Sequence, residues 1–120
     1  MSRIMIADDS DAIRMVLKDI LEIGKHDLVA EASDGQETVQ EFIRTNPDLV
    51  LLDMAMPKKD GLSALKEIIS MRPDAKIVMI TASDNQATMK ECVKAGALAY
   101  ILKPFNFQDV LRTIAHVLDS

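Results

Sequence analysis

The chain alternates two kinds of apolar pattern, and that alternation constrains its fold more than any other feature. Short apolar runs at 4–7, 28–32, 49–52, 77–80 and 98–102 are rich in Ile, Val and Leu and read as strands. Between and after them, apolar residues recur every three or four positions, the spacing of one helix face. Ile13, Val16, Leu17, Ile20 and Leu21 make one such stripe, and Leu62, Leu65, Ile68 and Ile69 make another. Phe107, Val110, Leu111, Ile114, Val117 and Leu118 make the clearest. Segments 35–45 and 85–95 carry weaker stripes, but their length and propensity are helical. A strict βα order implies right-handed crossovers and a parallel sheet covered on both faces. The expected fold is therefore α/β, a single doubly wound (βα)5 domain over residues 1–120, a length suited to one core.

The second run carries Glu31, and a charge is better tolerated at a sheet edge than in its middle. The first and third runs are the most apolar, so the expected strand order is 2-1-3-4-5. Expected helix caps are Ser10 or Asp11, Asp34 with Glu37 three residues on, Asp60, Ser83 or Asp84, and Asn106 with Asp109. Gly24 and Gly96 are expected to end helices. In such a sheet a ligand lies beyond the carboxyl ends of the strands at the switch point, here the first and third.

What the strands deliver to that rim is polar. Asp8 and Asp9 follow the first run, Asp53 the third, Thr81 the fourth and Lys103 the fifth. Neighbouring strands lie about 4.8 Å apart, so the three carboxylates crowd together, and the long Lys103 stem can cross two strands. Each carboxylate pair at 4 Å repels by roughly 4 kcal/mol in an effective dielectric of 20. Taken singly, polar residues after strands are ordinary loop and cap residues. Ser10 and Asp11 already suffice for capping, however, so the adjacent Asp8 and Asp9 call for a neutralising partner. A hard divalent cation with oxygen ligands, Mg²⁺, answers that need, with Lys103 supplying further positive charge.

Nineteen acidic against fourteen basic residues give a net charge of −5, which opposes binding to phosphate backbones, so no nucleic-acid partner is expected. No apolar run approaches the length of a membrane span, and no signal-peptide pattern opens the chain. Cys92, the one cysteine, has no partner for an internal disulfide. The expectation is a cytoplasmic protein without membrane contact. His26 and His116, far apart in sequence, suggest neither a metal site nor a base.

Four segments, in order and each at the end of its strand, carry a family resemblance: Asp8-Asp9, the stretch from Leu51 to Gly61 around Asp53-Met54-Ala55-Met56-Pro57, Thr81-Ala82, and Lys103-Pro104-Phe105. Together they resemble the receiver domain of two-component response regulators, and among these the stand-alone chemotaxis regulators of the CheY type. The resemblance implies that Asp53 is the nucleophile, phosphorylated by a histidine kinase. It implies that Asp9 binds Mg²⁺ directly and Asp8 through water, with Asp53 and the backbone carbonyl of Ala55 completing the protein ligands. It further implies that Lys103 pairs with a phosphoryl oxygen and that Thr81 donates its hydroxyl to another. Tyr100 then turns from exposed to buried, and Lys103-Pro104 is a cis peptide. A downstream protein partner is implied on the fourth helix, fifth strand and fifth helix, with a monomeric regulator that catalyses only its own phosphorylation and dephosphorylation.

Ala55 and Ser83 depart from the amide and carboxylate that fast-resetting chemotaxis regulators often place there, which puts rapid self-dephosphorylation in doubt. A phosphorelay shuttle without its own output fits the same residues. A haloacid-dehalogenase-like aspartyl-phosphate phosphatase is a weaker rival, because it needs a second Asp where this chain has Ala55. A flavodoxin shares the expected topology, but Asp8 and Asp9 would repel a flavin phosphate.

Overall fold

The computed structural model describes residues 2–82 and 85–120. Strands and helices alternate along the chain as β1 (Arg3–Ala7), α1 (Asp11–Ile23), β2 (Asp27–Ala32), α2 (Gly35–Thr45), β3 (Leu49–Asp53), α3 (Gly61–Met71), β4 (Ile77–Thr81), α4 (Gln86–Lys94), β5 (Ala99–Leu102) and α5 (Phe107–Leu118). The strands form one sheet in the order β2-β1-β3-β4-β5, with every pairing parallel. Glu31 therefore lies on an edge strand, as its charge requires. The pairing of β1 with β2 shifts register between Ile4 and Met5.

Strand residues point alternately to the two faces, and each face receives its own set of helices. Met5, Ala7, Val50, Leu52, Ile77 and Met79 pack with Val39, Phe42, Leu65, Ile68 and Cys92 of α2, α3 and α4. Ile4, Ile6, Leu49, Leu51, Val78 and Ile80 pack with Leu17, Ile20, Leu21, Val110, Ile114 and Val117 of α1 and α5. Every residue of β3 and β4 is buried, which explains why those runs are continuously apolar and not alternating. β3 and β4 thus deliver their last residues, Asp53 and Thr81, from inside the core to the rim with little freedom.

Four caps are as expected: the side chains of Ser10, Asp34, Asp60 and Asn106 accept backbone N–H groups at the starts of α1, α2, α3 and α5. Ser83 and Asp84, expected at the start of α4, lie outside the described residues. The cap is Asn85, whose carboxamide oxygen accepts from Ala87 and Thr88. Gly96 adopts the left-handed backbone expected after α4, with φ +116°. Gly24 also ends its helix, as the C-cap of α1, but with φ −80°, and Lys25 takes the left-handed conformation, at φ 59°. Gly24 packs closely on α5, since a Cβ there would lie 2.4 Å from Leu111 Cδ2 and that side chain would have to shift.

Candidate functional site

β1 ends at Ala7, so Asp8 and Asp9 emerge where the sheet stops, while Asp53 is itself the last residue of β3. Carboxylate oxygens of Asp8, Asp9 and Asp53 all lie within 4.8 Å of one another. The three are unequal, however: Asp8 and Asp53 are buried and Asp9 is exposed. Asp8 Oδ1 accepts the Ser10 N–H at 2.9 Å. Lys103, just beyond β5, crosses the ends of β4 and β3 to place Nζ 3.2 Å from Asp53 Oδ1 and 3.2 Å from Asp8 Oδ2.

One cation between two buried carboxylates leaves the cluster net negative. Burial pushes the Asp53 carboxyl above its usual range, and repulsion from Asp8 adds to this, outweighing Lys103 and the Ala55 N–H. Burial works against the Lys103 ammonium, yet Asp53 and Asp8 together hold its pKa above the ordinary value. An all-oxygen donor set of this charge, open to solvent on the Asp9 side, fits a hard divalent cation that keeps part of its water shell.

The cleft above these groups has a volume of about 440 Å³, and its lining includes Ala55, Thr81, Thr88 and Lys103 besides Asp9 and Asp53. Thr81 is buried at the end of β4. Tyr100 stands two residues from the end of β5 and is 43% exposed. The Lys103-Pro104 peptide is cis, as the resemblance implies. The loop after Asp53 is held tightly. Gly61 opens α3 so close to β3 that a Cβ there would lie 2.1 Å from the Asp53 carbonyl oxygen, and its N–H donates to Met54 O at 2.8 Å.

The rim thus gathers Asp8, Asp9, Asp53, Ala55, Thr81 and Lys103 in one place, with Tyr100 and Pro104 on the adjoining strand and loop. A model described as the response regulator receiver domain matches residues 4–115. The chain belongs to the response regulator receiver family. It is 40% identical over 117 residues to the chemotaxis protein CheY of Bacillus subtilis, covering 98% of each chain. Against the chemotaxis protein CheY of Thermotoga maritima it is 38% identical over 115 residues, covering 96% of each. Among solved structures it is similar to the CheX–CheY–BeF3–Mg²⁺ complex from Borrelia burgdorferi, with TM-score 0.94 and 31% identity over 97% of this chain and 88% of that one.

As a receiver of CheY type, the chain has two residues that sequence reasoning did not single out, one lining the cleft and one bonded to the Asp8 carbonyl behind it. Thr88, in the first turn of α4, lines the cleft, but nothing in a weakly amphipathic helix distinguishes it beforehand. Arg14 is the other, and its only prior signal is a basic residue one turn into α1, on a partly buried face. Cys92 is buried as a small apolar residue, with Sγ 3.4 Å from the Met54 sulfur. Among the described residues, no helix is long and apolar enough to cross a membrane.

Proposed function

We propose that this chain acts as a response regulator of the chemotaxis type, which takes a phosphoryl group from a histidine kinase onto Asp53. The observation that carries this reading is the cluster of three carboxylates with oxygens within 4.8 Å, bridged by Lys103. Asp8, Asp9, Asp53 and the backbone carbonyl of Ala55 would hold Mg²⁺. When bound, the ion screens the charges of the attacking carboxylate and the phosphoryl oxygens.

The residues themselves do the rest. An Asp53 carboxylate oxygen attacks phosphorus, and the P–N bond of the phosphohistidine breaks with its electron pair leaving on the imidazole nitrogen. Asp53 is suited to this role by its place at the end of β3, with Lys103 Nζ 3.2 Å from its Oδ1, because the acyl phosphate formed carries more negative charge than the carboxylate and needs that ammonium and the cation to offset it. Lys103, already 3.2 Å from Asp53 Oδ1, turns to a phosphoryl oxygen, and Thr81 donates its hydroxyl to another. As Thr81 moves inward, Tyr100 turns behind it. The face of α4, β5 and α5 then binds a downstream protein differently. The chain turns over no separate substrate, and it works as a cytoplasmic monomer.

The Borrelia complex of CheX and CheY includes BeF3 and Mg²⁺, and this supports the reading by similarity. Intact-mass measurement after incubation with acetyl phosphate tests it. One phosphoryl adduct is expected, dependent on Mg²⁺ and absent from Asp53→Asn. An adduct that persists in that variant would place the chemistry on another residue.

A further inference from the structure

Arg14 sits one turn into α1, with its side chain only 15% exposed. Its Nη1 donates to the backbone carbonyl of Asp8 at 2.6 Å, and its Nε donates to Glu31 Oε1 at 3.2 Å. Nη2 pairs with Asp11. Glu31, on the edge strand β2, is held in turn by Lys18 at 2.8 Å. Asp8 is thereby fixed on every side: its N–H donates to Ala32 O at 3.0 Å, Arg14 takes its carbonyl, and Ser10 and Lys103 take its carboxylate.

The Asp8 carbonyl belongs to the peptide that joins Asp8 to Asp9. Asp9 is exposed, and holding that planar peptide fixes where its Cα stands at the rim. We infer that Arg14 is a positioning residue for the divalent-cation site. It clamps the Asp8 carbonyl, is braced by Glu31, and so aims the Asp9 carboxylate toward Asp8 and Asp53. Partners that orient metal ligands in this way typically change affinity by about 10–100-fold when removed.

The sign of the effect separates positioning from simple electrostatics. Arg14 is a cation beside a cation site, so deleting its charge alone would tighten Mg²⁺ binding. Loss of positioning would weaken it. Lysine keeps the charge but has a single ammonium, which cannot hold the Asp8 carbonyl and Glu31 in the same fixed fork.

The inference rests on the proposed Mg²⁺ site, and the experiment separates the two. Metal-free protein is titrated with Mg²⁺ and followed by amide NMR shifts, first in wild type and Asp9→Asn. A wild type that does not bind, or an Asp9→Asn variant that binds equally well, overturns the metal reading itself. With that passed, Arg14→Met is expected to bind about tenfold more weakly. Arg14→Lys is also expected to be weaker than wild type, whereas Arg44→Met, which removes a cation paired with Glu41 in the last turn of α2, should bind as wild type does. Spectra unchanged away from the rim show that the fold is intact, and if Arg14→Met fails to fold then Arg14→Lys alone decides. Equal or tighter Mg²⁺ binding in the folded Arg14 variants would overturn the positioning role.

Discussion

Lys103 Nζ lies 3.2 Å from Asp53 Oδ1, a contact made across fifty residues of chain and past the whole of β4. The same nitrogen lies 3.2 Å from Asp8 Oδ2. In the absence of metal this ammonium is the only cation that the described residues set between the two buried carboxylates, and it does not fully compensate them. The cluster is held together by the strands beneath it, against its own repulsion, and so it is prepared for a ligand that brings positive charge.

The first consequence is a pH dependence of the metal-free protein. The folded pKa of Asp53 is raised by burial and by Asp8, so its contribution to stability is fully present below the unfolded value of about 3.9. It is lost as pH rises through the raised folded value, because the folded state must then carry a poorly solvated charge. Asp53→Asn removes this loss. Melting temperatures measured in chelator should be similar for the two proteins near pH 4, with D53N increasingly the more stable toward pH 7. A D53N curve that runs parallel to wild type across that range would contradict the assignment.

Gly61 offers a steric test of how firmly Asp53 is held. Its missing Cβ would meet the Asp53 carbonyl oxygen at 2.1 Å, a backbone atom that cannot rotate away. Gly61→Ala should therefore cost at least about 1–3 kcal/mol, the usual range for overpacking. It should also slow phosphorylation by acetyl phosphate, since β3 or the loop after it must move. Chemical denaturation and initial phosphorylation rates check both effects. Wild-type values in each would mean that the loop gives way without disturbing the site.

Ala55 is exposed and lines the cleft over Asp53, where its side chain has no polar group to offer a water molecule. Hydrolysis of an aspartyl phosphate needs a water aligned with phosphorus, and an amide can supply that alignment. Ala55→Asn is expected to shorten the lifetime of the phosphorylated protein several-fold, as read by the decay of the intact-mass adduct in Mg²⁺. An unchanged or longer lifetime would show that access of water, and not its orientation, limits the reaction.

The exposed side of Tyr100 adjoins a groove of about 680 Å³, formed with Met89, Lys90, Val93 and Lys94 of α4. Coupling to the site should reach this groove, since Thr81 ends β4 and Tyr100 stands on the neighbouring β5, two residues before its end. Adding beryllofluoride and Mg²⁺ is expected to shift the amide signals of Tyr100 and of residues 90–95 as well as those beside Asp53. A partner that favours the active form tenfold needs only about 1.4 kcal/mol from such a change. Shifts confined to the rim would remove this groove from the output pathway.

The order of elements, the faces they bury and the residues that reach the rim were all legible in the sequence. They depend on local periodicity: continuous apolar runs for β3 and β4, three- and four-residue spacing for α1 and α5, and a polar residue where each run stops. Even the edge position of β2 was readable, because Glu31 cannot be buried in the middle of a sheet. What only the tertiary structure decided is how groups distant in sequence meet. Adjacent residues Asp8 and Asp9 look alike in the chain, yet one is buried and the other exposed, because Asp8, the first residue past β1, is still tied by its N–H to Ala32 O and Asp9 stands one residue further out. The left-handed residue after α1 is Lys25 and not Gly24, beside which Leu111 of α5 packs, and no pattern within α1 announces that contact. The Arg14 bridge from Glu31 to the Asp8 carbonyl likewise exists only once β1 and β2 are paired, since a guanidinium finds its acceptors by geometry and not by spacing.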